Sequence, residues 1–405
     1  MRLIYVTSSF PFGPGEAFVM PELAALENQG QKVLVVPLWP RGGPFHTDAA
    51  RFLANTVSAG LFTAGIARDC AVAGAKPAST IYHVARSFSR SSSTLLAKDH
   101  VVLPKAIWLA RLARLWKADH IHAFWASGPA SLALAASEIC RIPWSFTAHR
   151  FDIVGNKLLP YKAEQARFVR FISESGFRMS GLAGTRLEKK LTVLHLGVEV
   201  RKGPPVVNSP NAPVIALCAA SLIPVKDHLD LLKAMEILHS RGLDLKLYLA
   251  GDGELRERLH KEVEQRALGD RVYFLGSVAH SALMDLYASG TISTIVLASA
   301  DLGRGLCEGI PVSLMEAMSF GIPVVATETG GILELLEGGA GWMVPPQNPL
   351  AFADALHLLI QNPKLRQTLG RAGQERVRSE FSASQIARRL TELFSAPVET
   401  FSMQF

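Results

Sequence analysis

The chain has 405 residues, 49% hydrophobic and 19% charged, with a mean hydropathy of +0.21. It is long for one core and too apolar for extensive disorder, so two domains of roughly 200 residues are expected. The net charge of +7 is uneven: residues 1–200 carry 23 Lys and Arg against 13 Asp and Glu, whereas residues 201–405 carry 19 against 22. A basic first half suits either an anionic partner (acidic lipid headgroups or a phosphate-bearing acceptor) or a scattered positive surface with no partner, and no nucleic-acid motif accompanies it.

Met1-Arg2 runs straight into Leu3 to Val6 without the parts of a signal peptide, so a place inside the cell is expected. Cys70, Cys140, Cys218 and Cys307 are scattered, with no C-x-x-C pair or zinc-ligand spacing, and read as reduced structural thiols.

In chain order, apolar runs at 3–6, 33–38, 120–124, 145–147, 168–172, 214–218, 246–250, 272–275, 294–297 and 323–326 read as buried strands between helical patterns, the rhythm of a parallel α/β sheet. After the first run, Ser8 to Val19 is rich in glycine and proline, with Gly13 and Gly15 either admitting a ligand to the backbone or simply turning the chain. Residues 54–75 are apolar but broken by Arg68-Asp69. The uninterrupted part falls short of the roughly 20 residues that span a bilayer, so a buried core helix or a shallow interfacial helix is expected. Basic and aromatic residues alternate on a helical pattern at 105–117, which fits an anionic membrane surface or ordinary packing equally well.

Arg201 to Pro213 gathers turn formers and marks a hinge. Lys226 then follows Leu222-Ile223-Pro224-Val225 beyond the first strand of the second half. Leu249 to Leu255 is a strand ending in a G-x-G turn, Gly251 and Gly253, which lacks the third glycine and downstream acid of a dinucleotide fingerprint. Because open α/β sheets hold ligands beyond the carboxyl ends of their strands, two such domains facing each other would enclose a cleft.

The segment hardest to explain by packing is Cys307 to Met318, where Glu308 and Glu316 stand eight positions apart. Pro311 fits the first turn of a helix and Gly321 with Pro323 its stop, so a helix is predicted over 312–320, with Leu314, Met315 and Met318 on its buried stripe. The loop's amides near the positive end of the helix dipole suit a diphosphate, while carboxylates suit neutral hydroxyls: Glu308 on a sugar, Glu316 on a ribose diol. The plainer reading is a solvated cap and a surface residue.

This segment, continued by Ala317 to Thr327, Gly330-Gly331-Ile332 and Glu334, resembles the E-x7-E signature of retaining, nucleotide-sugar-dependent glycosyltransferases of the GT-B type, in the large family usually numbered four, and is similar to its exopolysaccharide-building members. The resemblance implies two Rossmann-like, doubly wound domains facing a cleft: an acceptor-binding domain at 1–200, completed by a helix at about 382–394 within the crossing segment 382–405, and a nucleotide-sugar-binding domain at 201–381. It implies that Glu308 contacts the donor sugar, Glu316 the ribose, and the backbone of Gly309, Ile310, Pro311 and Val312 the phosphates. By the same resemblance Gly13 and Gly15 form the donor-facing glycine loop, and His149, in Ser145-Phe146-Thr147-Ala148-His149, faces the sugar. Gly251 and Val278 border the nucleotide, and Lys226 neutralises the diphosphate.

Two departures stand out. The family's arginine before that lysine is Ser221 here, and its preceding glycine is Ala220, so one phosphate clamp is missing and Arg304 and Arg150 are candidates to replace it. Phe124 stands where many members have a second histidine, and His120 and His122 receive no site role. The implied activity is a retaining hexosyl transfer from a UDP- or GDP-sugar to a hydroxyl of a glycan or lipid-linked acceptor, with the leaving phosphate taking the acceptor proton. A protein so acting is expected in the cytoplasm or peripherally on the inner membrane face. No D-x-D pair occurs in the chain, so no metal or other cofactor is expected. The rival readings are an epimerase or glycan phosphorylase on the same architecture, and a non-catalytic membrane-associated partner protein.

Overall fold

The structure is a computed structural model that describes residues 1–43, 47–73, 78–88, 99–206, 213–303 and 306–396. It divides into two compact units: unit 1 comprises Met1–His195 with Ser384–Phe405, and unit 2 comprises Leu196–Ala383.

Unit 1 is built on six parallel strands, β1 (Arg2–Thr7), β2 (Lys32–Pro37), β3 (His120–Ala123), β4 (Trp144–Ala148), β5 (Val169–Phe171) and β6 (Leu191–Val193), in the order β2-β1-β3-β4-β5-β6. Apart from the edge strand β6, the strands are buried on both faces, which is why they read as continuous apolar runs. Helix Gly128–Cys140 is alanine-rich and buried almost all round, packing on β3, β4 and helix Leu103–Leu115. The last helix, Ala383–Ser395, belongs to unit 1 beyond its first residue, and Phe394 lies on the rings of His120, His122 and Phe168 at 4.9, 5.5 and 5.6 Å.

Unit 2 repeats the plan with β7 (Val214–Ala219), β8 (Leu245–Ala250), β9 (Val272–Gly276), β10 (Thr294–Leu297), β11 (Val324–Thr327) and β12 (Trp342–Val344), in the order β12-β11-β10-β7-β8-β9. The architecture is therefore α/β with two doubly wound parallel sheets. The order reverses between β1 and β3 in one unit and between β7 and β10 in the other, and these switch points lie where such sheets bind ligands.

Two strands escape the sequence reading, β6 and β12. Each is an edge strand of only three residues, Leu191-Thr192-Val193 and Trp342-Met343-Val344, too short to stand out as a strand-length apolar run. Among the described residues of the segment 54–75 there is no buried core helix: in Ala64–Ala73 only Ile66 and Asp69 are buried, and Arg111 pairs with Asp69. Helix Leu103–Leu115 turns its apolar side into the core, and the fully buried Lys105 donates to the carbonyls of Pro37, Leu38 and Ala59. None of the four cysteines is in a disulfide. Among the described residues no helix is long and apolar enough to cross a membrane.

Candidate active site

In unit 2 the loops that leave β7 and β10 diverge at the switch point. The first is held against the β8 turn by backbone bonds, from Ala220 N to Ala250 O at 3.0 Å and from Leu222 N to Asp252 O at 3.0 Å. A Cβ on Gly251, whose φ is +157°, would stand 2.0 Å from the Ala220 carbonyl oxygen, and one on Gly253 2.5 Å from that of Leu222. The G-x-G turn thus lets two loops touch. The β7 loop continues through exposed Ser221 into the tight turn Pro224–Lys226, and Asp227, at φ +41°, caps helix His228–Ser240.

This course brings Lys226 onto Glu308. Lys226 Nζ lies 2.5 Å from Glu308 Oε2, both side chains are mostly buried, and Ser299 Oγ donates to the same oxygen at 3.1 Å. The Ser299 carbonyl is gripped in turn by the hydroxyls of Thr327 and Thr329, at 2.5 and 3.3 Å. Behind the carboxylate the chain passes very close to itself. Gly331 N donates to Glu308 O at 3.2 Å, and a Cβ on Gly330, with φ +51°, would fall 1.9 Å from that oxygen. Gly309 differs: a Cβ there would meet nothing within 4 Å, so packing does not account for its missing side chain.

Helix Val312–Ser319 follows, with Pro311 at its N-cap rather than inside the first turn, and Gly321, at φ +78°, past its end. Leu314, Met315 and Met318 are buried as the stripe predicts. Among the described residues the amides of Gly309, Ile310 and Val312 donate to no protein acceptor, while Pro311 has no N–H to give. The segment thus offers three donors at the positive end of a helix, not four. Glu316, one turn in, accepts from His280 Nε2 at 2.8 Å, and Val278 is half-buried two residues before that histidine. Beneath, burial raises the Cys218 thiol to about 12 and, with Lys226, lowers His228 to about 4, so both are neutral near pH 7.

Unit 1 carries a cavity of about 980 Å³ at the corresponding switch point, lined by Ser8, Ser9, Phe12, Gly13 and Glu16 from the β1 loop, Trp39 and Arg41 after β2, Trp125, Ser127 and Gly128 after β3, and Phe151, Asp152 and Lys162. The loop is organised by Glu16, only 3% exposed, whose carboxylate accepts from the amides of Ser8, Ser9 and Phe10, the Ser9 hydroxyl and the Trp125 indole. Gly13 must be small, because a Cβ would fall 1.9 Å from Ser9 Oγ; Gly15 lies in the short turn Pro14–Val19.

His149 is buried under Trp125, at 4.2 Å between ring centres, and its Nε2 stands 2.8 Å from the Phe124 carbonyl oxygen. A carbonyl only accepts, so Nε2 carries the proton and Nδ1 the lone pair. Burial holds its pKa at about 3, so the ring is neutral. Asp152 accepts from His149 N at 2.8 Å and from Ala126 N, and burial raises it to about 7. Buried Lys162 binds the Ala126 and Ser127 carbonyls at 2.9 and 3.0 Å. His120 and His122 are held among Ser145 and Thr147 within the sheet.

Within unit 2 the structure gathers Ser221, Lys226, Gly251, Val278, Glu308 to Val312 and Glu316 around the β7/β10 switch; within unit 1 it sets Gly13, Gly15 and His149 at the β1/β3 switch. Arg304 lies outside the described residues. The sequence reading missed Glu16, Ser299, His280, Trp125 and Lys162. Glu16 alone had a signal, an acid ending a Gly-Pro-Gly turn.

A sequence model described as "Glycosyl transferases group 1" matches residues 201–376. The chain is 31% identical over 261 residues to the "Putative colanic acid biosynthesis glycosyltransferase WcaL" of Escherichia coli, covering 61% of this chain and 63% of that protein. To its Salmonella typhimurium namesake it is 27% identical, over 97% of this chain and 99% of the relative. The "Amylovoran biosynthesis glycosyltransferase AmsK" of Erwinia amylovora is 30% identical over 51% of this chain and 50% of its own. Among solved structures, Anabaena HepE in complex with UDP superposes with a TM-score of 0.71 at 18% identity, covering 98% of this chain and all of that one. The sucrose-phosphate synthase of Thermosynechococcus elongatus gives 0.71 at 19%, over 97% and 98%. These likenesses show the GT-B fold. Residues 201–376 of the chain are thus similar to the glycosyl transferases group 1 family.

Proposed function

We propose that the protein transfers a sugar from a nucleoside diphosphate sugar to a hydroxyl of a glycan or lipid-linked acceptor, with retention of anomeric configuration and without a metal, in the synthesis of an exopolysaccharide or cell-surface glycan. The observation that carries this reading is the convergence at the β7/β10 switch of a cation, a carboxylate and three unused amides: Lys226, Glu308, and Gly309, Ile310 and Val312. The names of the colanic acid and amylovoran relatives, and the UDP held by HepE, support the substrate class.

In this reading the amides and the helix dipole hold the diphosphate, and Glu316 takes the ribose hydroxyls in place of His280. The arriving diphosphate draws Lys226 from Glu308, and the freed carboxylate accepts from hydroxyls of the sugar. As the bond between the anomeric carbon and the phosphate oxygen breaks, the acceptor oxygen bonds to the same face of that carbon and its proton passes to the leaving phosphate. The protein's contribution is positioning and electrostatic stabilisation of the leaving group. His149, if it serves the sugar as the family resemblance implies, serves through Nδ1, since its Nε2 proton is committed.

The unit 1 cavity, walled by Trp39, Trp125, Phe12 and Phe151, suits the apolar faces and hydroxyls of an acceptor glycan. The basic first half supports a peripheral place on the anionic inner membrane face, which co-sedimentation with anionic but not neutral vesicles would test. The decisive test of the main reading is calorimetry with UDP and GDP, followed by nucleotide release from a panel of their sugars by wild type and Glu308→Ala. Binding of one nucleotide and turnover lost in the variant support it; binding of neither overturns it. Product anomers read by NMR test retention, and activity kept in a chelator tests metal independence.

A further inference from the structure

Arg150 opens the helical turn Arg150–Ile153 directly after β4, at the carboxyl end of the unit 1 sheet. Its side chain is buried, the residue being only 3% exposed. The guanidinium carbon lies 4.5 Å from the centre of the Phe151 ring, so one face of the cation rests on an aromatic. The edges have no such support. Nε, Nη1 and Nη2 are all buried and, among the described residues, none has a hydrogen-bond acceptor.

That is exceptional in this unit. Arg170, fully buried, bonds Glu22 and the carbonyls of Leu194 and His195. Lys105 has three carbonyls, and Lys162 has two together with Asp99 at 3.9 Å. A guanidinium cannot shed its charge, and its five N–H groups lie in the plane that the Phe151 ring leaves unsatisfied. A buried charge with no partner is among the costliest features a fold can carry, and such a residue is retained where something else supplies the counter-charge.

The neighbouring acids do not supply it. Asp152 is engaged by the amides of His149 and Ala126, and burial raises it to about 7, so much of it is protonated near neutrality. Glu16 is already saturated by five donors. Phe151, in contrast, is 69% exposed and lines the unit 1 cavity, so the ring that rests on the guanidinium itself borders that space.

We propose that Arg150 is the receptor for an oxyanion, a phosphate or carboxylate held by two-point contact on the guanidinium edge that the Phe151 ring leaves unsatisfied. The inference goes beyond sugar transfer, because it assigns a second anion-recognising group remote in sequence from Lys226 and the Glu308 loop. The same chemistry has two sources, the diphosphate of the nucleotide and an anionic group on the acceptor.

The test uses the full chain as wild type, Arg150→Met and Arg150→Lys. Thermal unfolding is followed in sodium phosphate and in sodium chloride of matched ionic strength, and UDP and GDP are titrated by calorimetry. Wild type should melt higher in phosphate than in chloride. Arg150→Met should lose that difference and, in chloride, melt no lower than wild type, since an unpaired charge has been removed. Arg150→Lys, which keeps the charge without the planar fork, should show a reduced difference. A loss of about tenfold or more in nucleotide affinity in Arg150→Met assigns the anion to the donor. Unchanged nucleotide affinity with the phosphate response lost assigns it to the acceptor. A phosphate response and nucleotide affinity the same in all three proteins would overturn the proposal, as would a wild type indifferent to both anions. No turnover is needed, so the outcome is separable from the fate of the glycosyl-transfer reading.

Discussion

Two glycines of the unit 2 site lie close together and should behave in opposite ways when each is changed to alanine. Gly330 has a φ of +51°, and its added Cβ would sit 1.9 Å from the Glu308 carbonyl oxygen. The left-handed conformation alone costs an alanine about 1–2 kcal/mol, and forcing a methyl against fixed backbone adds about 1–3 kcal/mol. Gly330→Ala should therefore destabilise unit 2 by about 2–5 kcal/mol, lowering its melting temperature by roughly 5–15 °C for a unit of this size. Gly309 has open space where its Cβ would be, and alanine there should be neutral or stabilise by about 0.4–1 kcal/mol. Its cost should fall on ligand binding, because the new methyl occupies the approach to the free amides: nucleotide affinity should drop about tenfold or more, about 1.4 kcal/mol. Calorimetric melting and nucleotide titration of both variants give the two readouts. If Gly309→Ala melts as low as Gly330→Ala, or binds UDP and GDP as wild type does, the reasoning fails.

Glu316→Ala should weaken UDP or GDP by about tenfold or more while leaving inorganic pyrophosphate unchanged, because the carboxylate is assigned to ribose hydroxyls; equal weakening of both ligands would refute the assignment. Ser221→Arg restores the missing clamp and should tighten diphosphate binding, and no change would mean another cation already fills that place. Stability should fall on acidification. Burial holds His120 and His149 near 3 and, with Lys226, His228 near 4, against an ordinary 6.5, while His122 is also lowered. The unfolded chain takes up protons below 6.5 that the folded one refuses, so the stability from these rings is complete above 6.5 and is lost as pH falls towards their folded values. Asp152, raised to about 7 from 3.8, and Asp227, also raised by burial, work in the opposite direction, two groups against four. Urea unfolding at about pH 7 and about pH 4.5 measures the balance, and a stability that rose on acidification would contradict it.

Much of this arrangement is legible in the sequence. Ten of the twelve strands were visible because parallel strands are buried on both faces and write unbroken apolar runs. β6 and β12 were not, being three-residue edges too short to stand out as runs. Helix 312–319 was framed by Pro311 and Gly321, whose local preferences need no tertiary context. The partners were harder to see. Nothing in the sequence places Ser299 on Glu308, His280 on Glu316 or Trp125 on Glu16, since these meetings depend on how crossover loops return to the ends of the sheet. The G-x-G turn showed as glycines, but only the structure reveals that Gly251 is small so that Ala220 can lie against it. Arg150 was visible as a cation, yet only the fold reveals that its guanidinium has no hydrogen-bond acceptor among the described residues.

Sugar transfer by this chain requires that the Gly309 to Val312 segment of unit 2 hold a nucleoside diphosphate. Amide hydrogen exchange of the full chain with and without UDP and GDP tests this residue by residue. One of the two nucleotides should slow exchange across residues 307–316 and at Lys226. Unchanged exchange there with both, or protection confined to residues 8–16 of unit 1, would contradict it.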